Sequence, residues 1–226
     1  MFSLTERNPD VYRWQGVDIE LNLAFDNVLV FLDMFGDESL PMDARIKLAL
    51  AMLVVDTEIL KPIAEHDKLL DFTWDLLRDK LNIDMRKEVE PVKADNQDNE
   101  EEQDEPVPVF DWKEDAGYIY SSFLYDYGID LIEQQGKMTW DRFHTLFNSL
   151  SDKSKMGEAM YYRSCPIPKK EKGSDNEERK RIIKMKEYYM LEKARPIIER
   201  NKFRAHQREQ EARKKAILEK QKNKKE

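Results

Sequence analysis

A chain of 226 residues can hold one or two domains, but with 37% charged and 40% apolar residues it has less to bury than the roughly 45–50% apolar share of an ordinary globular domain. Residues 1–168 carry 17 Lys/Arg and 35 Asp/Glu, net −18, whereas residues 169–226 carry 21 and 11, net +10, giving −8 overall; such a split marks an interaction tail or a tail that contacts its own chain. The lone Cys165 excludes an intrachain disulfide framework, and no apolar stretch suits a secretory signal or approaches the roughly 20 residues of a membrane span, so a cytosolic protein is expected.

In chain order, Tyr12, Trp14, Val17, Ile19 and Leu21 alternate about Gly16, which reads as a short hairpin or extended arm. Phe25, Val28, Leu29, Leu32 and Phe35 follow at helical spacing and Gly36 closes that helix. Ser39 and Pro41 start the next, lined by Ile46, Ala49, Leu50 and Leu53. Pro62 opens a third segment with the stripe Leu70, Trp74, Leu77 and Leu81. Residues 1–87 therefore read as an N-terminal helical module. Residues 88–109 are acidic and without apolar period, and are expected to be a disordered linker that proteases cut first.

Residues 110–168 form an aromatic helical module, to be packed with 1–87 as one domain or set apart from it. Ala116, Ile119, Tyr120, Phe123, Leu124 and Tyr127 share one helix face, and Gly128 stands where helices stop. Gly136 marks a turn, after which Thr139 is the natural cap of a helix lined by Trp140, Phe143, Leu146, Phe147 and Leu150. The expected core is Ile119, Phe123, Trp140, Phe143 and Phe147. An Arg163-ending turn leads into Cys165-Pro166-Ile167-Pro168, where the prolines favour extended backbone.

Residues 169–226 form a basic helical tail. Ile182, Met185, Tyr188, Tyr189 and Leu191 make one apolar stripe, and Pro196 should kink or end that helix. Beyond it the chain is rich in helix formers but nearly free of apolar side chains, as a solvated, fraying helix would be. The whole reads as a mostly α fold with a short N-terminal β element.

Nothing in the chain assembles a catalytic motif. The seven glycines never approach a phosphate-binding spacing. His66, His144 and His206 lie in separate segments without metal-ligand spacing, and a Cys165–His144 dyad has only the two residue types in its favour. Carboxylate pairs such as Asp33/Asp37 arise from acid density alone, and Asp95 to Asn99 lacks the glycine and spaced glutamate of a calcium loop. No residue is assigned to catalysis, a cofactor or a metal. The basic tail, with Phe203 and Tyr188/Tyr189, keeps nucleic-acid association as the alternative function. Glu187, Glu192, Glu199, Glu209, Glu211 and Glu219 interleave with its bases and suit a solvated helix better than a phosphate track.

The order of an aromatic helix ending in Tyr127-Gly128-Ile129-Asp130-Leu131, then a helix led by Trp140 with Phe143 three residues on, resembles the tail-assembly chaperone family of siphophages infecting Gram-positive bacteria. Those proteins are encoded between the major tail protein and the tape-measure protein. The similarity extends over roughly Val17 to Leu191 and includes the alternating entry and the aromatic helix ending near Phe35. It implies a non-catalytic chaperone that coats the helical tape-measure protein and keeps it soluble while the tube polymerises, with the tail tube protein as a further candidate partner. It also implies a place in the infected host's cytoplasm rather than in the mature virion. The expected partner-binding residues are Ile182, Met185, Tyr189 and Ile198 on the C-terminal stripe. The opposing expectation is that Ile182 to Leu191 docks on its own chain.

Overall fold

Alternation in the N-terminal segment produces two antiparallel strands, β1 (Val11–Trp14) and β2 (Val17–Glu20), in the register Val11↔Glu20 to Trp14↔Val17. The two-residue turn between them needs positive φ at both positions. Gly16 meets this freely at φ +88°, while Gln15 takes φ +47°. The computed structural model describes residues 10–65, 68–83, 104–168 and 176–222. His66, Asp95 to Asn99 and residues 88–103 of the expected linker lie outside the described residues.

Helices dominate the rest: α1 (Phe25–Phe35), α2 (Met42–Leu53), a 3-10 turn (Thr57–Leu60) running into α3 (Lys61–Glu65), α4 (Leu69–Leu81), α5 (Ala116–Tyr127), α6 (Trp140–Asn148), α7 (Lys155–Ser164), α8 (Glu177–Tyr188) and α9 (Ala194–Lys222). The fold is mostly α, as the periodicity indicates. Its chain contacts separate into two units. Unit 1 is Met1–Lys93 with Ile119–Ser151, and unit 2 is Ala94–Tyr118 with Asp152–Glu226. The stretch 110–168 is thus divided between them rather than standing as one module.

In unit 1 the reason is aromatic. Phe143 stacks on Phe25 at 4.8 Å between centroids and on Phe123 at 5.1 Å, so α5 and α6 share a core with α1. Ile119, Phe123, Trp140, Phe143 and Phe147 are all buried. The chain before α1 pairs with the chain before α6. Trp140 N–H donates to the Leu23 carbonyl at 2.7 Å, and Phe25 N–H to that of Met138 at 2.9 Å. Thr139 stands at the cap position with extended backbone, as expected, but its side chain makes no cap bond.

The β-hairpin lies on α4. Tyr12 Oη donates to Asp79 at 2.9 Å, Trp14 Nε1 donates to Asp75 at 3.0 Å, and the Trp14 ring meets Phe72 edge-on. Asp75 and Asp79 are one helical turn apart, so both face the hairpin. Burial pushes the Tyr12 phenol well above its ordinary range, and the bond to Asp79 adds to this.

Three local expectations are corrected. The Pro62 segment is the short α3, and the buried face of α4 is Phe72, Thr73, Trp74, Leu76, Leu77 and Leu81; Leu70 is exposed, because the ring-bearing hairpin sits over Phe72. Gly36 does close α1, as expected, and does so at an ordinary right-handed φ of −77°. The stretch expected to be a turn ending at Arg163 is helix α7, begun by Ser154, whose Oγ accepts from Gly157 N–H at 3.1 Å. Pro196 neither kinks nor ends the helix that carries Ile182. That helix stops at Tyr188, and Pro196 stands in the first turn of α9, where its missing N–H has no helical partner to lose. No helix among the described residues is long and apolar enough to cross a membrane.

Candidate functional site in unit 2

Unit 2 is built around Arg163. Its side chain and that of Asp115 are 8% and 2% exposed, and they form a two-pronged pair at 2.6 and 2.8 Å. The same guanidinium donates to the carbonyls of Val109 at 3.0 Å and Tyr189 at 2.6 Å, while Lys186 Nζ donates to the Arg163 carbonyl. One side chain thereby ties α7 to residues 104–115, here termed the strap, and to the break between α8 and α9. Beneath it lies a small core of Ala159, Tyr162, Cys165, Ile182 and Tyr189, with Tyr118 and Met185 packed against it. The rings of Tyr162 and Tyr189 stack at 5.9 Å, and Tyr189 Oη donates to Glu158 at 2.9 Å.

Against this frame lies an apolar groove of about 500 Å³, within the range of ligand pockets. Val107 and Pro108 of the strap, Ile167 after α7, Ile183 of α8, Met190 and Ile198 supply most of its apolar lining. Its charged lining is Arg163, Lys186, Arg195 and Lys202 against Glu187. The local sequence explains the opening. Pro166 forces Cys165 out of the helical region, to φ −59° and ψ 142°, which ends α7 and carries the chain away extended.

Residues 104–109 of the expected linker are held along α9. Asn201 accepts from the Glu105 N–H at 2.9 Å and donates to the Glu105 carbonyl at 2.8 Å, so one side-chain amide satisfies both backbone groups. The Glu105 carboxylate takes Arg200 at 2.6 and 3.1 Å and Arg204 at 3.0 Å, and Asp104 takes Arg208 at 2.5 Å. Asp111 pairs with Lys193. Glu114 accepts from the backbone of Glu192 at 2.9 Å, supplying an acceptor to the entry of α9 from 78 residues earlier in the chain. Three arginines open to nucleic acid in the sequence reading are therefore engaged by the chain's own acids.

The bond from Arg200 holds the Glu105 carboxyl below the usual glutamate range. A depressed folded-state value stabilises the contact above the unfolded value, and that contribution is lost as pH falls through the folded one. Strap contact at Glu105 should thus persist from neutral pH into the ordinary glutamate range near ~4.3 and be lost below it. The Asn201 side-chain amide resonances report this directly. They should shift on acidification in the native chain, and in Glu105→Gln they should be weakly pH-dependent throughout.

Of the residues expected to meet a partner, Ile182 and Tyr189 are instead covered by unit 2 itself, at 9% and 3% exposure, with Met185 packed partly against them. Ile198 alone of the four lines the groove. The missing walls are Val107, Ile183 and Met190, of which Val107 comes from a segment distant in sequence from the other two. Ile183, adjacent to the stripe residue Ile182, was the available signal. The Cys165 thiol donates to the Tyr162 carbonyl at 3.6 Å, the His144 ring stacks on Trp140, and His206 bonds Gln210. Among the described residues, no group of three His, Cys, Asp or Glu converges as metal ligands would.

Residues 4–191 match the family described as Bacteriophage Gp15 protein. The chain belongs to that bacteriophage family. No curated protein and no solved structure matches it. Membership in the Gp15 family covers both strands and α1 through α8. The match ends at Leu191, so α9, with Ile198 and Lys202, lies beyond the matched residues.

Proposed function

We propose that this Gp15 family chain is a non-catalytic tail-assembly chaperone that binds the phage tape-measure protein and keeps it soluble while the tail tube forms. The observation that carries this role is the apolar groove of unit 2. A long helical protein exposes apolar stripes that aggregate unless covered, and helix-in-groove docking is a common way to cover one. An acidic chain, net −8, also keeps such a complex dispersed by charge repulsion. The similarity of the YGIDL-to-Trp140 region to tail-assembly chaperones points the same way.

Co-expression provides the test. A tape-measure fragment that is insoluble alone should become soluble with the full chain, and Ile198→Asp should lose much of that effect while remaining folded by circular dichroism. Deleting everything after Pro168 is the poorer variant, because it also strips Ile182 and Tyr189 from the core around Tyr162. A fragment left insoluble by the native chain would exclude the chaperone role. DNA binding that falls steeply with salt would then favour the nucleic-acid alternative.

A further inference from the structure

We infer that the groove of unit 2 selects an amphipathic helix whose apolar stripe is flanked by acidic residues. This rests on the chaperone role and specifies the chemistry of the partner segment. Arg163 is neutralised by Asp115 and Arg195 is paired at 3.4 Å with the exposed Glu192, which leaves Lys186 and Lys202 against Glu187 among the charged lining. A bound helix therefore meets a surplus of positive charge beside an apolar floor that includes Ile183, Met190 and Ile198.

The strap shows the same recognition in cis. Val107 and Pro108 contribute to the apolar lining, while the adjacent Glu105 and Asp104 take Arg200, Arg204 and Arg208 of α9. An apolar pair next to two acids is already bound along this helix. A partner continuing that pattern would place leucine-like residues at i, i+4 and i+7 over the groove, with Asp or Glu reaching Lys186 and Lys202. Complementary charge at such positions raises association rate and rejects the opposite sign.

The test uses the full chain and two synthetic helical peptides with the same leucine stripe, one flanked by glutamates and the other by lysines. In fluorescence anisotropy the glutamate peptide should bind at least about tenfold more tightly at low salt, with the gap narrowing as ionic strength rises. Lys186→Glu with Lys202→Glu should reverse the preference. Lys202→Gln, which only removes a charge, should reduce it even if the double variant folds poorly. Ile198→Asp should weaken both peptides. Equal binding of the two peptides, binding of neither, or a preference unmoved by these variants overturns the inference. So does displacement of the peptide by DNA that Ile198→Asp leaves unaffected. Failure is separable from failure of the chaperone role: a tape-measure fragment solubilised without any acidic preference preserves the role and removes this selectivity. Selective peptide binding with no solubilisation does the reverse.

Discussion

Arg163→Ala should destabilise unit 2 by about 3–5 kcal/mol, the cost of leaving a buried charge without its partner. Among the described residues, the buried Asp115 carboxylate would keep the Asp111 N–H as its hydrogen-bond donor, and the carbonyls of Val109 and Tyr189 would each lose a donor. Against a typical total of 5–15 kcal/mol, that is enough to open the strap and loosen α8. Hydrogen exchange should show it, with faster exchange in α7, α8 and the start of α9 and little change in the β-hairpin. Arg163→Lys should recover only part, because an ammonium cannot reproduce the two-pronged bond while also reaching both carbonyls. Replacing both partners, as in Arg163→Met with Asp115→Leu, should be milder than Arg163→Ala, since no orphan charge remains. An unchanged exchange pattern in Arg163→Ala would show that the pair does not hold unit 2 together.

Phe143→Ala should cost unit 1 a similar roughly 3–5 kcal/mol. Phe143 is 1% exposed and touches the rings of Phe25, Phe123, Trp140 and Phe147, so its removal leaves a hole bounded by aromatic rings that cannot all collapse inward. Urea unfolding followed by tryptophan fluorescence, to which the neighbouring Trp140 contributes, should show a lower midpoint with little change in slope. Phe143→Leu should lose less, because much of the volume remains. A midpoint equal to that of the native chain would mean that the stack is incidental to stability.

What could be read from the residues followed the side chains that alternate or repeat strongly. The hairpin, α1, α5 and α6 were legible because large rings recur at period two or near 3.6, and Gly16, Gly128 and Gly136 stand at positive φ where the turns fall. Helix α7 was hidden by Gly157 and by a sparse stripe of Met156, Ala159 and Tyr162, although Ser154 was a usable start signal. Residues 104–109 of the strap read as linker because density of like charge argues for disorder only while no opposite charge is at hand. Asp104 and Glu105 find theirs on α9, close to a hundred positions later. Pro196 is ambiguous by nature: the same residue stops a helix at its middle and suits one at its start. The groove could not be seen at all, since the apolar character of Val107, Ile183 and Ile198 becomes one surface only after the chain has folded.

The long separation between the strap and α9 also sets an order of events during synthesis. Glu105 leaves the ribosome 95 residues ahead of Arg200, an interval of about 5 to 20 seconds at ordinary elongation rates of about 5–20 residues per second. Unit 1 needs nothing beyond Ser151 and can close during that wait. The strap cannot. A waiting segment that was apolar would invite association between nascent chains on one messenger, whereas one bearing Asp104, Glu105, Asp111, Glu114 and Asp115 stays hydrated and mutually repelling until its basic helix emerges.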